Sequence, residues 1–178
     1  LLSSIVFLRP LGLRLGSAMN QEVGIAAEYF TKTDIQSIPT GEIVAVEDTP
    51  MDFRVKKPLG RDIEEQYEPL IFGRGYDHNW VLNTKGDITH PCATLESPST
   101  GIVLDVYTNE PGIQIYAGNF LDGTLTGKKG IVYGHRASVC LETQKYPDTP
   151  NKPEWPSALL KPGEKYDSHC IYRFSVKK

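Results

Sequence analysis

Short apolar runs rich in β-branched residues recur along the chain between turns that contain Gly or Pro, and no segment carries a long helical stripe. Two-residue alternation in such runs is typical of half-buried strands rather than helices. The predicted strands are residues 42–46, 79–83, 93–96, 102–108, 113–116, 137–142 and 167–176. Many short strands with turn signals between them predict an all-β chain, folded as a sandwich or a barrel.

Local patterns refine this prediction in three places. Residues 97–101, Ser-Pro-Ser-Thr-Gly, form a turn signal that predicts a hairpin between the runs at 93–96 and 102–108. Residues 23–30 fit either a strand or a helix, and the sequence alone leaves both open. Residues 61–67 predict a short helix, because acidic side chains occupy its first turns.

Length and charge limit the class of protein. The chain has 178 residues, of which 39% are hydrophobic, and this is enough for one domain with a proper core. Its net charge of −3 argues against nucleic acid as a partner, because phosphate binding needs a clustered positive field. No apolar run approaches the roughly 20 residues that span a bilayer. The sequence does not indicate an oligomeric state.

The N-terminal segment and the metal-binding residue types give little functional signal. Residues 1–15 are apolar, but Arg9, Pro10 and Arg14 interrupt them, so they match a secretory signal peptide poorly and leave the compartment open. The three cysteines show no CxxC spacing and are expected to be small buried hydrophobic residues. The four histidines show no HxH or HExxH spacing, so no metal site is expected.

Glu142 is the strongest candidate for a catalytic residue. It lies within an apolar run between Cys140, Leu141 and Thr143, where a carboxylate is partly desolvated or points into a polar cleft. Either environment tends to raise its pKa toward the range that suits a general base near neutral pH. The alternative is a surface glutamate on the solvent face of a sheet, which composition alone favours.

Residues 73–80 form a second polar cluster beside a predicted strand. Asp77 lies there between Tyr76 and Trp80, and this combination of carboxylate and flat apolar rings suits a sugar. The alternative is a polar turn whose aromatic rings belong to the core. Gln114 gives a third candidate, because it stands between two isoleucines and faces either solvent or a cleft.

We expect Asp77, Gln114 and Glu142 to converge on one concave sheet face. A glycosidase-like carboxylate pair of Asp77 and Glu142 also remains open, since only their separation in space tests it.

Seven segments together carry a family resemblance. They are residues 38–43, 49–54 (Thr-Pro-Met-Asp-Phe-Arg), 75–80 (Gly-Tyr-Asp-His-Asn-Trp), 110–123, 140–144 (Cys-Leu-Glu-Thr-Gln), 147–153 and 160–166. In this order they resemble the C-terminal half of the aldose 1-epimerase, or galactose mutarotase, family. The resemblance covers residues 22–178 as the C-terminal part of a mutarotase-like domain and leaves residues 1–21 as a non-matching segment.

The resemblance implies a galactose-mutarotase-like β-sandwich, incomplete because its N-terminal strands are missing. It implies an isomerase that interconverts the α and β anomers of a free hexose of the galactose or glucose type without a cofactor. Glu142 falls on the family's general base, and Asp77 and Gln114 fall on positions that hold sugar hydroxyls.

The family's acid histidine lies upstream of the region that corresponds to Glu22, in an Asn-His-x-Tyr-Phe-Asn segment that this sequence lacks. The resemblance therefore implies a chain that is inactive or impaired as an epimerase. A non-catalytic carbohydrate-binding β-sandwich is the alternative.

Overall fold

The computed structural model describes residues 7–8 and 17–177, and most of the 1–15 segment lies outside this part. The fold is almost entirely β, with one short α-helix. The strands are β1 (Phe7–Leu8), β2 (Glu22–Ile25), β3 (Ala27–Thr33), β4 (Pro39–Ala45), β5 (Lys57–Pro58), β6 (Asp77–Leu82), β7 (Ala93–Glu96), β8 (Ile102–Thr108), β9 (Gly112–Tyr116), β10 (Val139–Gln144) and β11 (Cys170–Val176). Helix α1 is Glu68–Gly73.

The strands form two antiparallel sheets. One has six strands in the order β1-β10-β9-β6-β3-β4, and the other has five in the order β11-β8-β7-β2-β5. The inward-facing apolar residues of both sheets join one buried cluster, so the sheets pack as a sandwich. The all-β sandwich prediction is confirmed.

An aromatic group anchors the loop at residues 50–53 to the six-stranded sheet. Phe53 packs edge to face against Tyr76 and Trp80, with ring centroids 5.1 and 5.7 Å apart. Tyr76 and Trp80 pack at a tilted angle with centroids 6.2 Å apart. The Tyr76 hydroxyl donates to the Pro50 carbonyl over 2.9 Å, and the Trp80 indole N–H donates to the Met51 carbonyl over the same distance. Both rings are therefore fully buried with their polar atoms satisfied.

The predicted strands agree with the structure, with shifts of a few residues at their ends. The hairpin is present, since β7 pairs antiparallel with β8 and Glu96 lies opposite Val103. Residues 23–30, for which the sequence left strand and helix open, form parts of two strands. At Ala26 the chain passes from β2 in the five-stranded sheet to β3 in the six-stranded sheet.

The helix predicted at residues 61–67 is wrong, because this segment forms turns and the helix begins at Glu68. The Asp62 carboxylate accepts a hydrogen bond from the buried Lys57 ammonium over 2.6 Å, which ties the segment to the core. Pro69 in the first turn of α1 favours a helix start there, because its ring fixes φ and it lacks an N–H that would have no helical partner.

Two of the three cysteines are buried, as the sequence predicts, and the third is not. Cys92 and Cys140 are buried free thiols, and Cys170 is a half-buried free thiol on β11. Within residues 7–8 and 17–177, the structure has no helix that is long and apolar enough to cross a membrane.

Candidate active site

Three neighbouring strands of the six-stranded sheet carry the predicted site residues. Strand β9 lies between β10 and β6. Gln114 on β9 lies directly opposite Glu142 on β10, and Tyr116 lies directly opposite Asp77 on β6. Opposite residues, and residues two apart on one strand, share a sheet face. Asp77, Gln114 and Glu142 therefore lie on one face, as the expected convergence requires.

Two hydrogen bonds connect the polar side chains of this face. The Gln114 Nε2 donates to Oδ1 of Asp77 over 2.9 Å. The Gln144 Nε2 approaches Oε1 of Gln114 at 3.5 Å, the long end of the hydrogen-bond range. The two contacts orient the Gln114 amide with its N–H₂ group toward the carboxylate and its oxygen toward Gln144.

Burial raises the pKa of both carboxylates. The pKa of Glu142 is raised first by desolvation and then by the negative charge of Asp77. The pKa of Asp77 is raised by desolvation, and the hydrogen bond from Gln114 opposes this shift by stabilising the ionised form. Glu142 is thus a half-buried carboxylate whose basicity is increased, rather than an exposed surface glutamate.

The backbone beside Glu142 is held from the opposite sheet. The Tyr172 hydroxyl on β11 donates to the Leu141 carbonyl on β10 over 2.7 Å. Leu141 and Thr143, which flank Glu142, are buried, so alternation along β10 directs Glu142 to the polar face. This hydrogen bond and the burial of the flanking residues fix the strand that carries the candidate base.

The histidines lie elsewhere. His78 is 1% exposed, and its ring packs edge-on against Phe30 and Trp80 on the core face of β6. Desolvation lowers the pKa of His78 to about 4, so its imidazole is neutral at pH 7. The remaining three are exposed: His90 pairs with Asp87, His169 pairs with Asp167, and His135 lines a cavity.

The aromatic residues that flank Asp77 are core residues. Tyr76 and Trp80 are fully buried, so the alternative that assigned them to the core is correct and they offer no face to a sugar. Gly75 also serves packing: a Cβ there would overlap the side chain of Asn119, with Cγ at 3.0 Å. The missing side chain at Gly75 thus makes room for Asn119 and not for a ligand.

Sequence reasoning missed two other groups on the polar face. Gln144 contacts Gln114, and Tyr116 lies on the face beside Asp77. The period-2 alternation was a sufficient signal for both, because each is two residues from a predicted site residue on the same strand. Phe120, which stacks on Tyr116, follows the end of β9 and has no periodic signal.

One cavity of the protein does not include the predicted site residues. It has a volume of about 280 Å³ and is lined by residues that include Leu70, Arg74, His135 and Arg136. Within the described part of the chain, no three His, Cys, Asp or Glu side chains are grouped so that they could hold a metal ion.

Comparison with known proteins assigns the family. The family model described as aldose 1-epimerase matches residues 11–173. Human galactose mutarotase is 43% identical over 157 residues, which cover 88% of this chain and 44% of the human protein. The aldose 1-epimerase of Haemophilus influenzae is 34% identical over 150 residues, which cover 83% of this chain and 43% of that protein. The chain thus spans less than half the length of these relatives.

Solved structures give the same result. The galactose 1-epimerase of Lactobacillus acidophilus superposes with a TM-score of 0.76 at 27% identity, over 91% of this chain and 46% of that protein. An aldose epimerase homologue from C. elegans superposes with a TM-score of 0.75 at 29% identity, over 91% and 47%. The predicted mutarotase-like sandwich is confirmed, while the division at residues 21 and 22 stays a prediction. The chain belongs to the aldose 1-epimerase family.

Proposed function

We propose that this chain carries the base and sugar-binding side of an aldose 1-epimerase site, with a free hexose of the galactose or glucose type as substrate. The observation that carries the proposal is the register of three strands, which aligns Glu142 with Gln114 and sets Asp77 on the same face. Relatives named galactose mutarotase and aldose 1-epimerase support the reaction class.

Glu142 acts as the general base in this proposal. Its carboxylate removes the proton of the C1 hydroxyl while the bond between C1 and the ring oxygen breaks, and the ring oxygen takes a proton from solvent water, which gives the open-chain aldehyde with a free C5 hydroxyl. Rotation about the C1–C2 bond exposes the other carbonyl face. The ring closes to the opposite anomer as the C5 hydroxyl gives its proton to solvent water and Glu142 returns its proton to the C1 oxygen. The raised pKa of Glu142 supports this role, because a carboxylate with a higher pKa is a stronger base and accepts the proton more readily.

Asp77 and Gln114 hold the sugar in place. A carboxylate accepts hydrogen bonds from hydroxyl groups, and an amide both donates and accepts, so together they match neighbouring hydroxyls of a pyranose. Their mutual hydrogen bond of 2.9 Å orients both groups before a sugar binds. No histidine of this chain is proposed as the acid, because His78 is buried on the other face of its strand.

Polarimetry of freshly dissolved α-D-galactose tests the proposal. We expect the chain to accelerate mutarotation over buffer by less than a site with both an acid and a base, and Glu142→Gln to remove this acceleration, because one well-placed general base contributes about 10²–10⁴-fold. Glu28→Gln is the matched control, since Glu28 is an exposed strand glutamate outside the three site strands. Equal rates for the unsubstituted chain and Glu142→Gln would contradict the base assignment.

Sugar binding separates catalysis from recognition. Titration with methyl β-D-galactopyranoside, whose ring cannot open, should give saturable binding that Asp77→Ala weakens. Binding without any acceleration of mutarotation would instead favour the non-catalytic carbohydrate-binding sandwich.

A further inference from the structure

An exposed aromatic ring borders the candidate site. Phe120 follows the end of β9, and its side chain is 54% exposed. Its ring stacks on Tyr116 with centroids 6.2 Å apart and an angle of 14° between the planes. The Tyr116 hydroxyl also accepts a hydrogen bond from the Phe120 backbone N–H over 3.1 Å. The position of the ring is thus fixed both by stacking and through its backbone.

Tyr116 connects this ring to the candidate site. It lies directly opposite Asp77 on β6. The charge of Asp77 contributes to the raised pKa of Tyr116, after desolvation, which is consistent with their closeness. A ligand held by Asp77 therefore lies within reach of the aromatic pair.

A buried amide fixes the loop that carries Phe120. The Asn119 Nδ2 donates to the Gly73 carbonyl over 3.1 Å and to the Tyr76 carbonyl over 2.9 Å. Asn119 is 6% exposed and packs against Gly75. The loop after β9 is thus tied to the segment between α1 and β6.

The same connection brings a cation to the ring. Arg74, in the left-handed conformation at the end of α1, places its guanidinium carbon 5.7 Å from the centroid of the Phe120 ring. Phe120, Tyr116 and Arg74 form what we call the Phe120 platform.

We propose that the Phe120 platform is a further sugar-binding element, in which Phe120 contacts a C–H face of the hexose and Arg74 donates to its hydroxyls. The inference rests on the proposed function and adds a contact residue to it. Single exposed aromatic residues are common on protein surfaces. This one differs because hydrogen bonds to Tyr116 on β9 and to the segment between α1 and β6 hold it beside a polar face, and preorganisation reduces the entropy lost on binding.

The chemistry fits a galacto-configured pyranose. Its axial O4 leaves the C3, C4 and C5 hydrogens as an apolar patch on one side of the ring, while hydroxyls surround the rest. A flat ring packs against such a patch, and carboxylate, amide and guanidinium groups satisfy the hydroxyls. Asp77 and the platform thus offer the two kinds of contact that one pyranose needs.

NMR titration of the chain with methyl β-D-galactopyranoside tests the inference without turnover. We expect Phe120→Ala to weaken binding about 5-fold, the scale of one aromatic contact, and Phe120→Tyr to stay within about 2-fold of the unsubstituted chain. Saturation transfer from the aromatic protons should reach the C3, C4 and C5 hydrogens of the glycoside. The matched control is Phe174→Ala, because Phe174 on β11 is 57% exposed and lies in the other sheet.

Each outcome decides a different claim. If Phe120→Ala binds the glycoside as tightly as Phe174→Ala does, while Asp77→Ala and Gln114→Ala weaken binding, the platform is wrong and the proposed function stands. If the unsubstituted chain shows no saturable binding, both claims are overturned. Loss of binding in Phe120→Ala with rescue in Phe120→Tyr supports the platform, provided both variants keep the circular dichroism spectrum of the unsubstituted chain.

Discussion

Gln114 donates a hydrogen bond from Nε2 to Oδ1 of Asp77 over 2.9 Å and so connects two adjacent strands at the centre of the six-stranded sheet. A donor at this distance stabilises the ionised carboxylate. Asp77 is at the same time partly desolvated, which favours the neutral form. The hydrogen bond therefore limits a shift that burial alone would make larger.

Gln114→Leu should raise the pKa of Asp77, because it removes the donor and leaves the desolvation in place. A larger neutral fraction of Asp77 also reduces the repulsion that contributes to the raised pKa of Glu142, so we expect that pKa to fall slightly. Carboxyl ¹³C NMR titration measures both. Gln36→Leu, at an exposed loop position, is the control and should change neither.

Asp77→Asn and Glu142→Gln should each stabilise the folded chain at pH 7. Both carboxyls have folded-state pKa values raised above the ordinary 3.8 and 4.5. Each carboxyl group then contributes stability that is fully present below its unfolded-state pKa. This contribution is lost as the pH rises through its folded-state pKa. A variant without the ionisable group avoids that loss. For Glu142→Gln the expected gain in the free energy of unfolding is about 1 kcal/mol or less, because Glu142 stays partly solvated.

Thermal unfolding at pH 7 and pH 3.5 tests this prediction, since the increase in melting temperature of both variants should vanish at pH 3.5. Asp148→Asn provides a control of opposite sign. Its pKa is lowered, first by the Lys152 hydrogen bond, so this carboxylate contributes stability above its unfolded-state pKa. A decrease in melting temperature for Asp77→Asn at pH 7 would contradict the desolvation argument.

Gly112→Ala should destabilise the chain by about 1–3 kcal/mol, the usual range for overpacking. A Cβ at this position on β9 would lie 2.9 Å from Cδ1 of Tyr146 and closer still to Oδ1 of Asn79, and both side chains are buried. Gly134→Ala is the control, because its Cβ would meet no atom within 4 Å. Equal urea midpoints for the two variants would show that the neighbours of Gly112 move aside without strain.

Local alternation was enough to predict most of the strands, but the shared face of Asp77, Gln114 and Glu142 also depends on the pairing of β6, β9 and β10, which the sequence does not show. The period of 2 fixes which side of a strand a residue occupies, and antiparallel neighbours then align the three side chains. The helix at residues 61–67 was predicted wrongly because the role of Asp62 depends on Lys57, which becomes its partner only in the folded chain.

Long-range packing explains the other differences between prediction and structure. Whether Tyr76 and Trp80 face a sugar or the core depends on the Pro50 and Met51 carbonyls, which lie 26 and 29 residues away. The position of Phe120 depends on the Asn119 bonds to residues more than 40 positions earlier. Sequence periodicity contains no information about such contacts.

Tyr172→Phe should destabilise the chain by about 1 kcal/mol, because the substitution leaves the Leu141 carbonyl without its 2.7 Å hydrogen bond from the other sheet. Leu141 is next to Glu142, so we also expect weaker positioning of the base and a reduced rate of mutarotation with little change in glycoside affinity. Urea unfolding and polarimetry measure the two effects. Tyr166→Phe, at a 68% exposed position, is the control for loss of a hydroxyl. Matching urea midpoints and rates for the two variants would show that the contact between the sheets supports neither the fold nor the base.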